Sequence, residues 1–145
     1  MTLSAKLRRA PLRLATGAYI LNSGLAKRHG DVQTAQGLHG MASGAYPAFK
    51  DIEATRFLRL LSAGEIALGT ALLTPFVPPA LAGAGLSGFS GSLLGMWWRT
   101  PGMHEPHDPR PTPAGAPIAK DVWMLGIGIS LIIDALVTRR GSSEA

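Results

Sequence analysis

Phe57-Leu-Arg-Leu-Leu-Ser-Ala-Gly-Glu-Ile-Ala-Leu-Gly-Thr-Ala-Leu-Leu-Thr-Pro-Phe-Val77 decides how this chain is read. The stretch has the length and apolarity of a membrane-spanning helix, for which about 20 residues suffice. Glu65 lies inside it. An ionisable side chain at such a depth is costly and marks a candidate functional site.

Working outward, the chain has 145 residues and reads as a single domain. Its hydrophobic fraction of 46% is ordinary for a soluble protein, so composition alone does not indicate a membrane. The distribution does. Charged residues gather at the N-terminus, in two connecting segments and near the C-terminus, and long stretches almost free of charge lie between them. The net charge of +5 flanks apolar segments and forms no basic stripe, which argues against a nucleic-acid partner. The chain has no cysteine, so thiol exchange and cluster ligation on its own residues are excluded.

Four spans follow, at about 12–27, 57–77, 80–98 and 118–137. The fold class expected is all-α, an integral membrane four-helix bundle in contact with the lipid bilayer. The first span is short: 14–26 rises only about 20 Å, so Arg13 and Lys27 must snorkel. Asn22 and the lack of a small-x-small site argue against a cleaved signal peptide. The second ends at Pro75, Pro78 and Pro79, which suit a tight turn. The third is glycine-rich, and Gly91-Ser-Leu-Leu-Gly95 has the small-xxx-small spacing of close helix packing, read as packing within the molecule in preference to a homodimer motif.

An even number of spans places both termini on one side. Lys6, Arg8, Arg9, Arg13, Arg139 and Arg140 lie close to span ends on that side, and their density assigns it to the cytoplasm. Trp97, Trp98 and Trp123 then share the outer interface. The first outer connection, 28–56, is mostly uncharged; it is expected to lie on the membrane or fold over the bundle as a short helix, with a solvated loop as the alternative. The second, 99–117, holds six prolines from Pro101 to Pro117 and is expected to be an extended strap.

The polar residues can now be placed. On the first helix Ala15, Ala18, Asn22 and Ala26 share a small, polar face expected to point into the bundle. On the second, Ser62, Glu65 and Gly69 share a face, and Arg59 is rotated well away from it. Glu65 lies about 12 Å below the outer boundary, so its neutralising cation must come from another helix. Lys27, Lys120 and Asp121 mark that boundary. The reading is therefore a polar cluster of Asn22, Lys27, Glu65, Lys120 and Asp121, with Arg13 and Asp134 as a second pair at the opposite surface. Such a cluster either holds a polar head group, as of a quinone or lipid, or fixes helix register.

No other motif offers chemistry. His104-Glu-Pro-His107 sits in the strap without further convincing ligands, so no metal site is assigned. His29 and His39 lie in the first connection, and no histidine falls within a span, which disfavours an intramembrane haem.

The segments Leu12-Arg-Leu-Ala-Thr-Gly-Ala-Tyr-Ile-Leu-Asn-Ser-Gly-Leu-Ala-Lys27, Leu61-Ser-Ala-Gly-Glu-Ile-Ala-Leu-Gly69 and Ala119-Lys-Asp-Val-Trp-Met-Leu-Gly126 together resemble the DoxX-like family. The long strap and the extended first connection, with Leu38-His-Gly-Met41, resemble its actinobacterial-type branch. The resemblance implies a four-helix protein of the bacterial inner membrane. One branch of the family is the large subunit of a thiosulfate:quinone oxidoreductase, and others belong to membrane-bound thiol and oxidative-stress complexes. It also implies that Glu65, Lys27, Lys120 and Asp121 are the family's polar positions. Two functions are expected from this: a non-catalytic accessory or anchoring subunit, associated with a membrane protein partner or with its own copies, or a quinone-linked oxidoreductase component with Glu65 as the candidate catalytic carboxylate.

Overall fold

A computed structural model describes residues 3–143, with side chains through 138, and among these residues every named element is a helix. Arg139 and Arg140, used above to orient the chain, lie outside the described side chains.

Helix α1 runs Leu3–Arg28, starting more than two turns before the expected span because Lys6, Leu7, Arg8 and Arg9 are good helix formers. Pro11 is carried inside the helix on its exposed side. In the first connection, α2 occupies Val32–Ala45, capped by the Asp31 carboxylate, which accepts from the Thr34 N–H at 2.8 Å. A 3-10 turn at Pro47–Phe49 follows. This segment folds over α3 and α4: Ala42, Ala45 and Met96 form a buried cluster flanked by Tyr46, Phe49 and Phe57.

Helix α3 spans Ala54–Leu73 and α4 spans Pro79–Arg99. The first stops short of Val77 because Thr74 precedes Pro75 and is forced to an extended conformation, φ −82° and ψ 118°. A short α5, Ala116–Ala119, leads into α6, Asp121–Ser143. The strap between α4 and α5 is not extended. It doubles back at Gly102 (φ 82°) and His107 (φ 62°), pairs His104 with Pro111, and is pinned by the Trp97 indole N–H donating to the Met103 carbonyl at 2.9 Å. Prolines remove donors, yet Thr112 and Glu105 still donate their N–H groups across the turn.

The long helices pair antiparallel, α1 with α3 and α4 with α6, and Ile20, Leu72, Ala82, Leu86 and Leu131 join the pairs in one core. Glycines set both seams. A Cβ on Gly69 would lie 2.6 Å from the Leu21 nitrogen, and one on Gly83 would lie 2.6 Å from the Gly128 carbonyl oxygen. The seam between α4 and α6 therefore runs through Gly83, Ser87 and Gly128, not through Gly91-Ser-Leu-Leu-Gly95: Gly91 faces open space, and Gly95 lies under the Tyr46 hydroxyl.

Among the described residues one helical stretch, Ala116–Thr138, is long and apolar enough to cross a membrane, with mean hydropathy 1.7 over its most apolar window. It overlaps the span expected at 118–137.

Candidate functional site

The buried face of α1 carries Arg9, Arg13, Thr16, Gly17, Ile20 and Gly24. It is opposite to the face expected from small residues. Ala15, Ala18, Asn22 and Ala26 are all exposed, so Asn22 does not belong to the polar cluster. The physical reason is the glycines: Gly17 and Gly24 allow α3 to come closer than any alanine stripe would. At Gly24 an added Cβ would stand 2.9 Å from the backbone nitrogen of Ile66.

That close approach lays Lys27 over Glu65. The ammonium donates to Glu65 Oε2 at 2.9 Å and to Ser23 Oγ at 2.6 Å. Glu65 is buried at 4% exposure, in line with Leu58, Ser62, Gly69 and Leu72 on the inner face of α3. Ser62 closes the contact, its hydroxyl donating to the Gly24 carbonyl at 2.7 Å. Arg59 is exposed and stays off this face. Ser23 is not distinguished by the sequence reading, and its signal is its position four residues before Lys27.

Asp121 is also buried, at 5%, and interacts electrostatically with Glu65 and with its neighbour Lys120. Lys120 does not reach Glu65. It extends outward over the Tyr19 ring, with Nζ 5.5 Å from the ring centroid and 3.2 Å from the hydroxyl. Lys27 alone neutralises Glu65 by direct contact among the described residues. Lys120 is the first residue before α6, and its main chain fixes its stem on the outer side while Asp121 turns inward.

The expected pair of Arg13 and Asp134 does not form. Asp134 is held by Arg8, at 2.7 Å, and by Arg9, whose guanidinium also donates to the Asp134 carbonyl and to Thr138. Arg9 is one turn nearer the end of α1 and so lies level with the end of α6. Arg13 instead caps α3. Its guanidinium donates to the carbonyls of Leu72 (2.7 Å), Ala71 (2.8 Å), Thr74 (2.7 Å) and Val77 (3.1 Å). The last turn of a helix leaves its carbonyls without intrahelical donors, and a planar fork of N–H groups at its negative end satisfies them together. This role was not read from the sequence, although the i, i+4 spacing of Arg9 and Arg13 signals a shared face.

The arrangement is thus a ladder of polar contacts along the interior: Arg9 with Asp134, Arg13 with the end of α3, Ser62 with Gly24, and Lys27 with Glu65. Three surface grooves, at the ends of α4 and α6, beside Arg28 and Arg59, and beside Arg9 and Arg13, are lined by residues other than Glu65. In the strap, His104 stacks on Trp98 at 4.6 Å and bonds to the Trp98 carbonyl.

No protein-family model matches the chain, and comparisons with curated proteins and with solved structures give no significant match.

Proposed function

We propose that this chain is a four-span integral membrane protein, both termini on one side, acting as a non-catalytic accessory or anchoring subunit of a larger membrane assembly. The observation that carries the reading is that four charged residues are buried along the helices while many large apolar side chains are exposed. Arg9, Arg13, Glu65 and Asp121 are buried, whereas Leu14, Leu25, Leu60, Leu81, Trp123, Ile129, Ile133 and Val137 are exposed. Water favours the reverse arrangement, and hydrocarbon favours this one. The polar ladder supports the accessory role: Glu65 is already neutralised by Lys27, and the contacts fix the register of α1 against α3. The DoxX-like resemblance points the same way, to the bacterial inner membrane.

The test is purification in mild detergent from membranes of the native host. A stoichiometric membrane partner is expected; a lone, monodisperse protein overturns the accessory role. If Glu65 instead serves a quinone, Glu65→Gln abolishes quinone binding in liposomes while the protein remains inserted.

A further inference from the structure

A groove of about 850 Å³ runs along the end of α4, beneath Pro109 and Pro111 of the strap, and over α5 to the start of α6. That volume falls within the roughly 300–1,000 Å³ range of small-molecule sites. Trp98 and Trp123 line it, and both are exposed, at 55% and 73%. Arg99 and Lys120 line it too.

These two cations are each seated on an aromatic ring. Arg8, Arg9, Lys27 and Arg110 each contact a carboxylate, whereas Arg99 lies over the Tyr46 ring at 4.8 Å and Lys120 over Tyr19. A tyrosine ring positions a cation without cancelling its charge. The nearby acids do not cancel it by contact either: Asp108 holds Arg110, and Asp121 is buried on the inner side of α6. The groove therefore offers an apolar, aromatic wall with two positioned positive charges, at the level where tryptophans meet the bilayer surface.

We propose that the groove binds one anionic glycerophospholipid, its acyl chain against Trp98 and Trp123 and its phosphodiester between Arg99 and Lys120. The inference rests on the membrane reading above. A zwitterionic lipid brings an ammonium group toward the same two cations, so the site selects against it by repulsion as well as by weaker attraction.

Native mass spectrometry of the full chain, purified in mild detergent and offered equal amounts of phosphatidylglycerol and phosphatidylcholine with matched chains, reads this directly. Phosphatidylglycerol is retained over phosphatidylcholine by about tenfold, from two cations near the surface. The double variant R99Q/K120Q reduces the ratio to near one, and Lys6→Gln, at the opposite end, leaves it unchanged. Should the double variant fail to fold, Lys120→Gln alone, at an exposed side chain, lowers the ratio about threefold. Trp123→Ala lowers retention of both lipids. Equal retention by the parent protein, a preference that survives in the charge variants, or unaltered retention in Trp123→Ala overturns the site. Carbonate-washed membranes separate the two readings: protein missing from them overturns the membrane reading and this site with it, whereas inserted protein without lipid preference overturns the site alone.

Discussion

Lys27 and Glu65 are unequal halves of their ion pair. The carboxylate side chain is 5% exposed and the lysine 20%, because Lys27 stands at the end of α1 and Glu65 within α3. Removing the lysine strands a buried charge, whereas removing the carboxylate leaves an ammonium that still has Ser23 and a flexible stem toward the surface. Lys27→Met is therefore expected to destabilise the fold by about 3 kcal/mol and Glu65→Gln by about 1 kcal/mol, read from unfolding in detergent. Equal losses would show that the pair sits in water at both ends. Arg13 is more demanding. Arg13→Ala leaves four carbonyls without this donor and should cost about 2 to 4 kcal/mol, and Arg13→Lys should recover less than half of that, since an ammonium cannot fork to four acceptors. Full rescue by lysine would reduce the cap to a simple charge effect.

At the scale of elements, the seams explain both what the sequence discloses and what it conceals. Glu65 among leucines and alanines announces an inner face of α3, and Ser62 and Gly69 follow from helical spacing. The inner face of α1 is harder to read, because its outer face is as rich in small residues as its inner one. Only the contact distances reveal that Gly17 and Gly24, not Ala15, Ala18 and Ala26, let α3 approach. That ambiguity places Asn22 on the wrong side in the sequence, and the apolar stretch 14–26 does not disclose a helix reaching back to Leu3, which brings Arg9 rather than Arg13 level with Asp134. Gly69→Ala should cost about 2 kcal/mol, because the new methyl meets the Leu21 backbone, which cannot move aside. Gly64→Ala, in open space on the same helix, should change stability by no more than about 0.5 kcal/mol or raise it. Similar effects at both positions would remove the seam as the explanation.

The start of α3 adds a pH dependence. The Glu53 carboxylate accepts from the Thr55 hydroxyl and from the N–H groups of Thr55 and Arg56, and these bonds hold its pKa below the usual glutamate value. A depressed folded pKa contributes stability that is complete above the unfolded value, about 4.3, and is lost as pH falls through the folded one. Amide-exchange protection at Thr55 and Arg56 should therefore fall on acidification in that window. In Glu53→Gln it should be lower at neutral pH and flat across the same range.

On the scale of the whole molecule, the same exposures mean opposite things in the two solvents. The most apolar window of Ala116–Thr138 is only 22% buried, and Ile129, near the middle of that stretch, is 44% exposed. In water, Ile129→Asp would exchange an exposed apolar side chain for a solvated carboxylate, a change usually within about 0.5 kcal/mol of neutral. In a bilayer the same side chain faces hydrocarbon, where an aspartate at a helix centre costs roughly 2.5 to 3.5 kcal/mol of insertion. Ile129 contributes no group to the polar ladder, whose members are Arg9 with Asp134, Arg13 with the end of α3, Ser62 with Gly24, and Lys27 with Glu65. Carbonate-washed membranes should accordingly contain several-fold less of Ile129→Asp than of the parent chain, with the difference degraded or aggregated. The mutant recovered as a folded soluble protein, in the same yield as the parent, would contradict the membrane placement, and with it the explanation of why Arg9, Arg13, Glu65 and Asp121 are buried while Ile129, Ile133 and Val137 are exposed.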